Sequence, residues 1–199
     1  MMFNNTQVLN TKKKSVIREW IESIVIALIL ALIIRHFFVQ AFKIPTGSMR
    51  PTLMEGDLIL VNKFVYGPKV PFTDIRMPAV AKPKRGDVVV FIYPEDRSKD
   101  FIKRLVGLPG DSVEIKNGSI YINGEALADP VFSQRYYYNR GDIAKEGEKI
   151  IVPKDSLFVL GDNSASSKDS RYWGFVPWKN LKGKAMLIYW PPQRIRIIK

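Results

Sequence analysis

Hydrophobic and polar positions follow two different rules along this 199-residue chain. From Ile21 to Phe38 the pattern is almost continuously apolar, interrupted only by Glu22, Ser23, Arg35 and His36. Ile24 to Ile34 has no polar position on any helical face, whereas a helix packed on a globular core keeps a polar stripe. A hydrocarbon layer of ~30 Å takes ~20 helical residues, so residues 20–39 read as a transmembrane helix with Trp20 and the Phe37/Phe38 pair at its interfaces. No small-x-small cleavage site follows in "FFVQAFKIP", which makes the segment an uncleaved signal anchor. Lys12, Lys13, Lys14 and Arg18 precede it, and this positive charge assigns residues 1–19 to the cytoplasm and 40–199 to the outer side.

Beyond the anchor the period shortens to that of strands. Segments 57–63, 87–93, 101–107, 112–116, 119–123, 149–153, 156–160 and 184–190 are short, rich in β-branched and aromatic residues, and bounded by Gly, Pro, Asn or Asp. In "EIKNGSIYI" the Asn117-Gly118 pair supplies the positive φ angles of a two-residue type I′ hairpin. Segments 66–86 and 124–148 read as long loops. The pattern predicts a mostly β protein: an antiparallel sheet or partly open barrel after one N-terminal transmembrane helix.

Composition removes several chemistries. There is no cysteine, and His36 is the only histidine, so neither a thiolate zinc site nor a histidine-rich metal site can form. Asp162, Asn163 and Asp169 lack the ligand spacing and terminal Glu of an EF-hand, so no metal is expected. The net charge of +12 suits an anionic partner. With the basic domain outside the membrane, nucleic acid is set aside, which leaves the phospholipid bilayer, the partner expected here, or an acidic partner.

His36 sits at the end of the anchor, so a serine hydrolase built from this chain needs another base, and lysine is the attested substitute. Such a lysine must be neutral, which requires burial among apolar groups. Strand period puts Lys103 between Phe101 and Leu105 on one face of "DFIKRLVG". The same spacing also suits an exposed lysine on an edge strand, and the strand taken alone favours that simpler arrangement. Ser48, in "FKIPTGSMRPTL", follows a permissive Gly47 and lies between Pro45 and Pro51. Thr46 can set a hydroxyl beside the Ser48 N–H to receive an oxyanion. A Pro-bounded turn from a helix into a strand has the same look. The Ser-x-x-Lys motif of penicillin-recognising enzymes is excluded, because Pro51 stands three residues after Ser48.

Taken together, "SMRPTL" (48–53), "GDLILVNK" (56–63), "KRLVGLPGD" (103–111) and "GDNSASSKDSR" (161–171) resemble, in order and spacing, the four boxes of bacterial type I signal peptidases. These are membrane-bound Ser-Lys endopeptidases that remove signal peptides from exported preproteins. The resemblance implies Ser48 as nucleophile and Lys103 as general base, with Thr46 and the Ser48 N–H as oxyanion hole. It further implies Ser167 as the serine that orients the lysine, and an Asp169–Arg171 ion pair that braces the site with Arg104. Ser164 and Ala165 replace the family's usual Arg-Asp pair. No cofactor is implied. The implied substrates are preprotein signal peptides with small residues at −1 and −3, at the plasma membrane or a thylakoid membrane. The second β domain of larger members is expected to be reduced to about 112–150. A non-catalytic anchored β domain accounts for the anchor, strands and charge, but not for four boxes in order.

Overall fold

The computed structural model describes residues 15–70, 73 and 75–199. The basic cluster Lys12, Lys13 and Lys14 lies outside the described residues. Helix α1 (Val16–Phe37) passes almost directly into β1 (Val39–Lys43). There follow β2 (Leu58–Asn62), β3 (Val88–Ile92), β4 (Asp100–Gly107), β5 (Ser112–Lys116), β6 (Ser119–Ile122) and β7 (Glu125–Ala126). A short α2 (Pro130–Ser133) precedes β8 (Lys149–Ile151) and β9 (Ser156–Leu160). The last elements are α3 (Ser170–Trp173), β10 (Val176–Pro177), β11 (Leu181–Trp190) and β12 (Arg196–Ile197).

Helix α1 buries none of its residues, and its aliphatic side chains are exposed along its length. Its 22 residues measure about 33 Å, but the uninterrupted apolar stretch Ile24–Ile34 covers only about 17 Å. Among the described residues no helix is long and apolar enough to cross a membrane. The boundary at residue 39 is also corrected: Val39 pairs with Asn62 in the β1–β2 ladder, so the sheet begins where the helix stops.

The larger sheet runs β1-β2-β11-β3-β4-β9-β10, with β12 on β11, and every pairing is antiparallel. Its order leaves it open between β1 and β10, which matches the mostly β antiparallel expectation. The unbroken apolar run of β3 has a simple cause. Val88 and Val90 enter one core with Ile59, Val61 and Ile188, while Val89 and Phe91 enter another with Leu105, Leu157 and Val159. A strand buried on both faces has no need of alternation.

A second, four-stranded sheet runs β7-β6-β5-β8. Its β5–β6 turn has Asn117 at φ 51° and Gly118 at φ 74°, the left-handed pair that Asn-Gly supplies. Segment 124–148 is not wholly loop, because a second Asn-Gly turn, Asn123 at φ 54° and Gly124 at φ 89°, folds β7 back on β6. The two sheets share a core in which Val113, Ile115 and Ile120 meet Val106, Phe158 and Leu160. Gly107 lies at that contact, where a Cβ would stand 2.7 Å from Val113 Cγ2 and 2.9 Å from Val152 Cγ2. Gly107→Ala is therefore expected to lower stability by about 1–3 kcal/mol in urea unfolding. An unchanged midpoint would show that the sheets are not close-packed there.

Candidate active site

Ser48 lies in a single 3-10 turn, Gly47–Met49, that hangs on the sheet through the fully buried Met49 and Leu53. Lys103 lies in β4, which pairs with β3 on one side and β9 on the other. The exposed arrangement is overturned, since Lys103 is 4% exposed and Ser48 8%, although Lys103 itself pairs with β3 only and the β9 ladder begins at Arg104. Lys103 Nζ is 2.8 Å from Ser48 Oγ and donates to the Ile102 carbonyl at 3.0 Å. The Phe101 ring centroid lies 5.5 Å from Nζ. Burial lowers the Lys103 pKa to about 8, although Asp169 and then Asp162 pull it upward. Arg171 adds to the lowering.

The loop after β9 locks the serine turn in place. Asn163 N–H donates to the Ser48 carbonyl at 3.0 Å, and Asn163 Nδ2 donates to the Gly47 carbonyl at 3.1 Å. Gly161 permits this approach, since a Cβ there would lie 2.1 Å from Ser167 Oγ and 2.6 Å from the Ser48 carbonyl oxygen.

Two arginine–aspartate pairs hold the loop from either side. Asp169 and Arg171 are fully buried and bidentate, with Nε–Oδ1 and Nη2–Oδ2 both at 2.8 Å. Asp169 Oδ2 also accepts from the Gly161 N–H at 2.9 Å. Arg171 reaches Ser164 Oγ at 2.8 Å and the Ser164 carbonyl at 3.0 Å, so the serine in place of the usual arginine is part of the bracing. Arg104 is not in this pair. It forms its own bidentate contact with Asp162, both at 2.7 Å, and donates to the Gly86 carbonyl at 2.6 Å. Thr52 Oγ1 donates to Asp162, and Arg135 Nη2 joins both at 3.1 and 3.3 Å.

Ser167 Oγ is buried without a hydrogen-bond partner, so the expected bond to Lys103 is not formed. Thr46 is exposed and extended ahead of the turn, and its side chain makes no cap bond. His36 Nε2 lies 3.1 Å from the Lys69 carbonyl. Among the described residues no cluster of His, Cys, Asp or Glu suits a metal. Sequence reasoning missed Thr52 and Arg135, and weighed Asp162 and Asn163 individually only as metal ligands. The Gly-Asp-Asn triplet and a threonine four residues after Ser48 were the available signals; nothing in the sequence marks Arg135.

A serine hydroxyl in contact with a buried amine, in a β scaffold, defines a serine hydrolase type of site. The chain belongs to the signal peptidase family: the family described as "Signal peptidase, peptidase S26" matches residues 17–190. It is a serine-type endopeptidase. A signal peptidase I of Pseudomonas aeruginosa is 36% identical, with 92% of this chain and 76% of the relative covered. A signal peptidase I P of Bacillus subtilis subsp. natto is 37% identical over 94% of this chain and 96% of its own. A solved signal peptidase I from Enterococcus faecalis shares 33% identity, covers 52% of this chain and 96% of its own, and has a TM-score of 0.45.

Leaving a buried arginine without its carboxylate costs about 3–5 kcal/mol. Asp162→Ala is expected to lose that much in urea unfolding. Lys168→Ala, which breaks the exposed Lys168–Glu95 pair, is expected to lose less than about 1 kcal/mol. Equal losses from the two would contradict the bracing role of Asp162.

Proposed function

We propose that this endopeptidase cleaves signal peptides from exported preproteins, with Ser48 as nucleophile and neutral Lys103 as general base. The observation that carries the reading is the 2.8 Å contact between two buried groups, Lys103 Nζ and Ser48 Oγ. When the amine is protonated it donates to Oγ; when neutral, its lone pair accepts the Ser48 proton. Oγ then attacks the scissile carbonyl, and the resulting oxyanion is received by the Ser48 N–H and the Thr46 hydroxyl. The first turn of a 3-10 helix leaves its N–H groups without intrahelical acceptors, which frees the Ser48 N–H for this task. The Lys103 ammonium protonates the leaving amine, then as neutral base activates the water that releases the acyl group. Ser167 is assigned the lysine-orienting role by its place in the last box, and its buried hydroxyl has no other partner among the described residues. No metal or other cofactor takes part in these steps.

Substrate geometry supports the same reading. Residues Asp100–Lys103 pair with β3 only, because the β4–β9 ladder begins at Arg104, and β1 pairs with β2 only. Between these free edges lies a cavity of about 40 Å³ lined by Phe42, Ile44, Pro45, Ile59, Val90 and Ile102 among others. An extended peptide added there gains main-chain bonds, and so small an apolar cavity favours small side chains at −1 and −3.

The exposed apolar surface of α1 supports a membrane tether. Because Ile24–Ile34 is shorter than the hydrocarbon layer, a single span requires Glu22 and Arg35 to reach the headgroups from near its ends. The basic N-terminus is then cytoplasmic and the β domain extracytoplasmic, at the plasma or a thylakoid membrane. Ser48 stands only ten positions after Phe38, which keeps the serine within about 35 Å of the helix end.

Ser48→Ala and Lys103→Ala are each expected to reduce preprotein cleavage by at least about a thousandfold. Lys103→Arg is expected to do the same, because a guanidinium does not deprotonate. The active form is the deprotonated amine, so kcat/KM should rise about tenfold per pH unit below about 8 and level off above it. Full activity at pH 6, or retained activity in Lys103→Arg, would exclude Lys103 as the base.

A further inference from the structure

Away from Ser48, a cavity of about 400 Å³ is lined by four cationic residues, Lys69, Arg76, Arg97 and Lys179. Among the described residues no acidic side chain lines it, and neither Arg97 nor Lys179 forms a salt bridge. The carboxylates on the neighbouring β3–β4 turn are already engaged: Glu95 with Lys168, Asp96 with Lys99 and Asp100 with Lys182. By sequence, segment 66–86 carries Lys69, Arg76, Lys82, Lys84 and Arg85 against one carboxylate, Asp74.

Arg76 is built into the wall of this cavity. Its Nη1 donates to the Tyr66 and Gly67 carbonyls at 3.2 and 2.9 Å, and its Nη2 to the Lys179 carbonyl at 3.1 Å and to Leu181. Its Nε is buried without a partner. Neutral carbonyls orient the guanidinium without cancelling its charge, so Arg76 keeps a fixed positive charge at the cavity wall. Its position relative to the tether is also fixed, because His36 at the end of α1 lies 3.1 Å from the Lys69 carbonyl. Around Arg76, Ile75 is 66% exposed, Met77 39% and Val80 66%, so aliphatic groups stand beside the cations. Cations beside exposed aliphatic side chains suit the headgroup layer of a bilayer, where each meets its own kind of surface.

We propose that this cavity binds the phosphate of an anionic phospholipid headgroup at the outer end of α1. The inference rests on the membrane tether proposed above. It assigns Arg97 and Lys179 as the exposed contacts and Arg76 as the fixed charge behind them.

The test uses the full chain in neutral detergent with equal amounts of phosphatidylcholine and phosphatidylglycerol, counting retained lipids by native mass spectrometry. Wild type is expected to retain phosphatidylglycerol in preference, and Arg97→Gln/Lys179→Gln to lose about tenfold or more of that preference. Lys116→Gln/Lys149→Gln, which removes two charges from the second sheet, is expected to leave it intact. An unchanged preference in the Arg97/Lys179 variant, or an equal loss in the control, overturns the site. Displacement of the lipid by an equimolar acidic peptide overturns the headgroup as its ligand. Flotation of wild type with pure phosphatidylcholine vesicles reads the tether separately. Failure there removes the tether without altering the lipid count.

Discussion

An ammonium group has a strong preference for water, and at Lys103 the chain removes that water while giving Nζ, among the described residues, only the Ser48 hydroxyl and one carbonyl as hydrogen-bond partners. Asp162 and Asp169 draw the amine toward its charged form, but each is bidentate to an arginine, Arg104 or Arg171. Their fields at Nζ are thereby partly cancelled. Had either carboxylate faced Lys103 directly, the pair would be an ordinary salt bridge with the lysine permanently charged. The paired arginines therefore do more than brace a loop: they leave burial as the dominant influence on the amine.

This constraint explains the placement of the surrounding elements. Lys103 has no strand partner on its β9 side, so its amine is enclosed by what lies over it, the Ser48 turn and the Phe101 ring. Ser48 has to approach from outside the sheet, and it does so on a short turn held by Met49, Leu53 and Asn163. Gly161 is required because the loop carrying Asp162 and Ser167 passes against the Ser48 backbone. Arg135 ties the second sheet's side of the molecule to Asp162, so the smaller sheet contributes to the site as well as to the core.

Much of the fold was legible because its signals are local. The strand runs, the Asn117-Gly118 turn and the apolar helix each follow from neighbouring residues. Strands β1, β7, β10 and β12 were missed because their pairing is set by tertiary partners; β7 alone had a local signal, the Asn123-Gly124 turn. At the site, Ser48 and Lys103 emerged from eliminating histidine and cysteine and from the order of the boxes. What sequence alone could not separate was a buried Lys103 from an exposed one, since strand period gives a face and not what packs over it. The partner of Arg104 was likewise hidden, because Asp162 and Asp169 are both carboxylates of one loop and only the packing distributes them. The length of α1 was legible, but a helix of about 33 Å with an apolar centre of about 17 Å depends on its polar ends to meet a bilayer.

The most direct test of the central claim is a titration of the Lys103 amine itself. The 13Cε and 15Nζ resonances of labelled full-length protein would be followed from pH 5 to 12, with Lys103→Arg supplying the assignment. A midpoint near 8, well below those of the exposed lysines, is the expected result. A midpoint at or above 10 would mean that Lys103 stays charged beside Ser48, and would contradict the account.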